Sequence, residues 1–113
     1  MQQAKVTVIG AGNVGATAAQ RLAEKNIANV VLLDIMGGVA AGKALDLMEA
    51  RPVELHDRMI VGGDDYSLSA GSDVVLMTAG LARKPGMSRD DLLAKNAAIV
   101  KGCIEAAYKH SPN

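Results

Sequence analysis

A chain of 113 residues is one domain's worth of protein, and its twelve basic and twelve acidic side chains leave no formal net charge. With no long run of either sign, it offers no nucleic-acid or anionic-membrane surface, and a small neutral or anionic partner is the easier expectation. The single cysteine, Cys103, excludes an intramolecular disulfide, no metal site is expected, and with only Tyr66 and Tyr108 aromatic the core must be built from Ala, Val, Leu, Ile and Met.

The opening MQQAKVTVIG has no basic leader followed by a long apolar stretch, so the chain reads as soluble and cytoplasmic. Residues 5–10, KVTVIG, are short, β-branched and closed by glycine, which predicts a buried strand. The following AGNVGATAAQRLAEKN predicts a helix with Val14, Ala18 and Leu22 as its inward stripe. Residues 29–35, NVVLLDI, form a second strand. MGGVAAGKALDLMEARP then gives a second helix with Val39, Ala44, Leu45 and Met48 inward and Pro52 just past its end.

Residues 59–62, MIVG, make a weak third strand, and a turn-rich GDDYSLSAGS leads to DVVLMTAG. There the apolar run of residues 74–77 is expected of a strand buried on both faces. A long helix opens at Ser88, whose hydroxyl can cap it, and runs to Ser111-Pro112, with Leu92, Ile99, Val100, Cys103 and Ala107 inward. No repeat, linker or low-complexity stretch divides residues 1–113. The order βαβαβ, then β, then α predicts an α/β fold: an open parallel sheet in strand order 3-2-1-4 with right-handed crossovers and helices on both faces.

Gly10-Ala11-Gly12-Asn13-Val14-Gly15 matches G-x-G-x-x-G, which is weak alone but here follows a strand, opens a helix and lies inside a βαβ unit. That setting lets glycine backbone approach a pyrophosphate and points a helix N-terminus at it. Gly10 makes the turn, Gly12 the close approach and Gly15 the helix-to-strand contact. Asp34 ends the second strand about twenty residues further on, where a carboxylate accepts hydrogen bonds from ribose hydroxyls and repels a 2′-phosphate. NAD is therefore expected over NADP, the more so because Ile35 and Met36 follow. Without the glycine pattern, Asp34 would read equally well as a solvated strand-end acid.

The segment LARKPGMSRDD carries Arg83 and Arg89 around Pro85-Gly86 and follows strand four over the same sheet edge. A solvated loop could look the same. Arg89, however, sits at the first position of the helix capped by Ser88, where a cation faces the positive end of the macrodipole, offset by Asp90 and Asp91. That placement is read as serving a ligand. Two guanidinium groups, each able to grip a carboxylate in a bidentate fork, point to a dicarboxylate under a closing loop. Asn96 lies on the inward stripe of the last helix, where its amide serves either a cofactor or a buried backbone group.

VIGAGNVGATAA, VVLLDI, GKALDLMEA, DVVLMTAGLARKPGMSRDDLLAKN and KHSPN together resemble the N-terminal, Rossmann-type cofactor half of the lactate/malate dehydrogenase family, in its NAD-dependent malate-specific, lactate-dehydrogenase-like group. The resemblance spans essentially the whole chain. It implies NAD at Gly10 to Gly15 and Asp34, a cofactor contact from Asn96, malate or oxaloacetate selected by Arg83, and a substrate carbonyl polarised by Arg89. It also implies roughly twice again as much chain, carrying a catalytic histidine, its aspartate partner and a further arginine, with the sheet here stopping before strand five.

Neither His56, in an apparent loop, nor His110, at a helix end, matches the catalytic motif, and both are expected on the surface; no catalytic residue is assigned. Strand four is then an apolar open edge, which predicts a homo-oligomer. Alternatives are a lactate dehydrogenase fragment, or a minimal dinucleotide-binding or folding module without turnover. Short-chain dehydrogenases fit less well, because Tyr108 has no lysine four residues on, and methyltransferases give no reason for the two arginines.

Overall fold

The computed structural model describes residues 3–80 and 85–112. Its strands are β1 (Lys5–Ile9), β2 (Asn29–Leu33), β3 (Ile60–Gly63) and β4 (Val74–Met77), all parallel, in the order β3-β2-β1-β4. The helices are α1 (Asn13–Glu24), α2 (Gly37–Glu49), a single turn α3 (Arg51–Glu54) and α4 (Arg89–His110), with a 3₁₀ turn at Tyr66–Ser69. Strand order, direction and the alternation of elements agree with the sequence expectation. Pro52 falls just past the end of α2, as expected, and lies in the first turn of α3.

Parallel pairing puts register partners on the same face of the sheet. Val6, Val8, Val30, Leu32 and Ile60 therefore share one face and form a single core with Ala19 and Ala23 of α1 and Ala40 and Ala44 of α2. The contact side of α1 is thus shifted by one residue from the expected stripe, with Leu22 still packed beside it, while α2 meets the sheet through Ala40 and the expected Ala44, with the expected Met48 beside them. Val14 is 73% exposed and Leu45 60%, and Val39 is also outside the core, whereas Gly15, Ala19 and Ala23 are buried. Small residues win these positions because they let the helix backbone lie close on a tightly pleated, fully buried sheet. Gly62 shows how close: a Cβ there would lie 2.2 Å from the Ala40 carbonyl oxygen.

Thr7, Ile9, Val31 and Leu33 point to the other face, which the 3₁₀ turn and α4 cover. The Thr7 and Ser72 hydroxyls meet at 2.6 Å, fully buried, and Ser72 donates onward to the Ser69 carbonyl at 2.6 Å. Ser111, the C-cap of α4, donates to the same carbonyl at 2.7 Å and accepts from the Ser72 amide at 3.0 Å. Serines between Ser69 and Ser111 thus join the end of α4 to the strand beside it. The outer strand β4 is less covered than its apolar run implies: Val74 is 49% exposed and the next three residues are half-buried, because β4 has a hydrogen-bonded neighbour, β1, on one side only. No described helix is long and apolar enough to cross a membrane.

Two glycines separate tight packing from helix propensity. Gly62→Ala should destabilise the fold by about 1–3 kcal/mol, since β3 and α2 must part to admit one methyl group. Gly102→Ala, in mid-α4 with nothing within 4 Å of its new Cβ, should stabilise it by about 0.5–1 kcal/mol. Urea denaturation of both variants checks the pair.

Candidate functional site

The turn between β1 and α1 is built by two glycines that admit no side chain. Gly10 has φ +108°, and a Cβ on it would lie 2.7 Å from Thr78 Oγ1 and 2.9 Å from the Ala79 nitrogen. Gly15, one turn into α1, would place a Cβ 1.7 Å from the Gly10 carbonyl oxygen. The first turn of α1 thus lies directly on the end of β1. Thr78, just past β4, donates its hydroxyl to the Ile9 carbonyl at 2.8 Å, with the Gly10 carbonyl 3.1 Å away. Strand four therefore holds the glycine turn in place.

Gly12 is different. It is extended, with φ −73°, and nothing lies within 4 Å of where its Cβ would be. It is the N-cap of α1, a helix with no side-chain cap and no acidic residue in its first turn, so the positive end of that helix is left for an anion.

Asp34 lies at the end of β2, beside this turn. One carboxylate oxygen accepts from the Ala11 amide at 2.7 Å and the other from the Met36 amide at 2.9 Å, while its own amide donates to the Gly63 carbonyl at 3.1 Å. Lys43, from α2, donates its ammonium to the Ala11 carbonyl. The buried residue Ala11 is thus held on both sides, its N–H by a carboxylate and its C=O by an ammonium group. Each Asp34 oxygen still has acceptor capacity for a hydroxyl.

Gly10, Gly12, Asp34, Asp64 and Thr78 line one wall and mouth of a cleft of about 390 Å³ at the C-terminal ends of the strands. Tyr66, Ile99 and Cys103 close its other side. Burial, followed by a hydrogen bond with the Cys103 thiol, pushes the Tyr66 phenol above its ordinary range, so it stays neutral in the cleft wall. Asp65, which caps the 3₁₀ turn carrying Tyr66, is held below the usual carboxylate range by the Ser67 amide. A larger, shallower hollow of about 600 Å³ lies between Leu45 and Asp57, but it has no glycine turn, and the only helix start that reaches it among the described residues is that of the single turn α3.

The cleft brings together Gly10, Gly12 and Asp34, with Ala11 and Gly15 packed behind. Thr78, Ala79 and Gly80 line it, as their place after strand four implied. Asn13 and Val14 are exposed in the first turn of α1, so Val14 does not pack inward. Asn96 is half-buried with its amide beside Gly80, where Oδ1 would lie 3.3 Å from an added Cβ. Arg89 begins α4 on the exposed side of a capping box between Ser88 and Asp91 and does not line the cleft. Arg83 lies outside the described residues.

His110 is exposed as expected, but His56 is not: it is 8% exposed, and its Nδ1 accepts from the Arg58 amide at 3.3 Å. A short loop folded back on α3 buries it, which no local pattern announces. Lys43 and Asp64 are the residues around the cleft that sequence reasoning missed; Thr78 was placed there, but the bond of its hydroxyl to the Ile9 carbonyl was not read. Only Thr78 carried a signal, a hydroxyl ending an apolar strand at the ligand edge.

A parallel sheet with a glycine turn, an uncapped helix N-terminus and a strand-end acid at one edge defines a dinucleotide-binding domain. Comparison with known proteins narrows the class. Residues 4–113 match the model of the lactate/malate dehydrogenase, NAD binding domain. A malate dehydrogenase from Chlorobium phaeobacteroides is 63% identical over 110 residues, 96% of this chain and 36% of its own length. The apo malate dehydrogenase of Picrophilus torridus superposes with a TM-score of 0.94 at 50% identity, covering 98% of this chain and 36% of that one. The enzyme of Archaeoglobus fulgidus in complex with NADH gives 0.87 at 43% identity, covering 96% and 37%. The chain belongs to the lactate/malate dehydrogenase NAD-binding domain family. It spans about a third of the length of the curated relatives it matches.

The geometry separates the two roles of the glycines. Gly15→Ala should lower stability by about 1–3 kcal/mol or more, because the methyl group meets backbone. Gly12→Ala should change it by less than about 1 kcal/mol, since its backbone suits any residue and its space is open. Thermal unfolding of the two variants checks the difference.

Proposed function

We propose that this chain is the NAD-holding part of a malate dehydrogenase, which when complete converts malate and NAD to oxaloacetate, NADH and a proton. The observation that carries the reading is the open space over Gly12, framed by the α1 N-terminus and the Asp34 carboxylate. These residues fit a dinucleotide: the α1 N-terminus takes the pyrophosphate, Asp34 accepts from the adenosine ribose hydroxyls, and the wall formed by Ile35, Tyr66 and Ile99 suits a flat apolar base. Asn96, beside Gly80, is assigned to the same cofactor. NAD supplies the hydride acceptor. The chain's own part is to bind it, orient it and exclude water around its phosphates.

For the substrate, Arg89 and Arg83 are assigned to the carboxylate and carbonyl oxygens of malate or oxaloacetate. A planar fork of donors matches a carboxylate in a way that lysine does not. Malate over lactate is favoured by arginine at position 83 and by relatives that are malate dehydrogenases. Neither described histidine lines the cleft. Hydride removal from an alcohol needs a group to take the hydroxyl proton, so the chain by itself binds NAD without turnover. The exposed outer edge of β4 is assigned to contact with a second copy.

Calorimetric titration should show saturable heat with NAD, weaker binding of NADP, and a loss of about tenfold or more in Gly12→Ala as the methyl group fills the phosphate space. Absence of heat with NAD in the wild type would contradict the cofactor assignment, and oxaloacetate-dependent NADH oxidation by this chain would contradict the absence of turnover. In the complete enzyme, Arg83→Gln should shift preference from oxaloacetate towards pyruvate, and unchanged preference would remove Arg83 from substrate selection. Sedimentation at high concentration should show association, and a strict monomer would exclude the β4 contact.

A further inference from the structure

Asp34 is not the only acid at the ribose end of the cleft. The last register pair of β2 and β3 is Leu33 with Gly63, and the Asp34 amide donates to the Gly63 carbonyl, so Asp34 and Asp64 leave the sheet side by side. Both line the cleft. Their carboxylates are used differently: Asp34 accepts two backbone amides, whereas Asp64 is exposed and makes no hydrogen bond or ion pair among the described residues.

The Asp64 side chain lies over the start of α2, where a Cβ on Gly37 would come within 2.9 Å of its Cγ. That helix, like α1, begins without a side-chain cap and without an acid in its first turn. An uncapped helix N-terminus next to a ribose pocket would attract a phosphate group. Here the place is taken by a fixed charge of the same sign. Among the described residues, none that lines the cleft is basic, Ile35 just past Asp34 is 96% exposed and uncharged, and the Lys43 ammonium is engaged on the Ala11 carbonyl.

We propose that Asp64 is a second specificity-determining carboxylate, which covers the N-terminus of α2 and with Asp34 bars a ribose 2′-phosphate from the cleft. The inference rests on the cofactor reading above. It adds that the choice of NAD over NADP is shared between two acids. Asp34 is tied to the glycine turn and acts mainly by accepting ribose hydroxyls. Asp64 makes no such tie and acts through charge alone, so its contribution is screened by salt.

The test is titration of wild-type protein and Asp64→Asn with NAD and with NADP, at low and at high ionic strength. The variant should bind NAD within about twofold of wild type and NADP about three- to tenfold more tightly, as expected for removal of one nearby like charge. The wild-type preference for NAD should narrow at high salt by a similar factor. Asp64→Lys, which reverses the charge at this exposed position, should strengthen NADP binding further. If NAD binds normally and the NADP to NAD ratio is unchanged in both variants, Asp64 is only a partner of the α2 dipole and the proposal fails. If wild-type protein does not bind NAD at all, the cofactor reading fails first.

Discussion

The site depends on one close contact, the first turn of α1 lying on the carbonyl of Gly10. Because Gly15 has no side chain, the helix starts where β1 stops, and its positive end reaches the edge of the sheet where β2 and β4 also end. Thr78, just past β4, holds that carbonyl on one side, and Asp34 from the end of β2 and Lys43 from α2 hold the N–H and the C=O of Ala11 on the other. Three elements distant in sequence thus fix one turn. A cleft built this way is preorganised: the amides that would meet a phosphate are positioned before any ligand arrives, so little ordering cost is left for binding.

The same need for close approach governs the core. A parallel sheet buried on both faces cannot share its surface with bulky side chains at every crossing point, and the helices meet it through Gly15, Ala19, Ala23, Ala40 and Ala44. Larger apolar residues sit beside that line or outside it. On the opposite face, the hydroxyls of Thr7, Ser72 and Ser111 converge on the Ser69 carbonyl in a short hydrogen-bonded chain that fixes the C-terminal end of α4. The far end of α4 begins at a capping box next to the segment that carries the arginines. The hydroxyl chain anchors the helix, and the capping box sets where that segment joins it.

Most of the architecture was legible in the sequence, because each strand is a short β-branched run and each βα junction carries its own turn chemistry. Strand order followed from connection rules, and the G-x-G-x-x-G pattern with Asp34 located the ligand edge. The face of α1 was misread by one residue at Val14, and Val39 and Leu45 of α2 were wrongly expected inward, since hydrophobicity favours them whereas packing selects smaller neighbours; Ala44 and Met48 of α2 and the stripe of α4 ending at Ala107 were read correctly. Lys43 and Asp64 were not legible, because each acts across a distance fixed only by folding: Lys43 reaches Ala11 from the next helix, and Asp64 acquires its meaning from standing beside Asp34. His56 was misplaced for the same reason. Arg83 and Arg89 were legible as chemistry alone: Arg89 stands exposed at the start of α4 and does not line the cleft, and Arg83 lies outside the described residues.

An NMR titration of ¹⁵N-labelled protein reads, residue by residue, the proposed seating of NAD on the amides at the start of α1 and the Asp34 mouth. Addition of NAD should shift the amides of residues 10–15 and of Asp34 and Ile35 most strongly, and leave those lining the shallow hollow between Leu45 and Asp57 nearly unmoved. The largest shifts in that hollow, with residues 10–15 silent, would contradict the account.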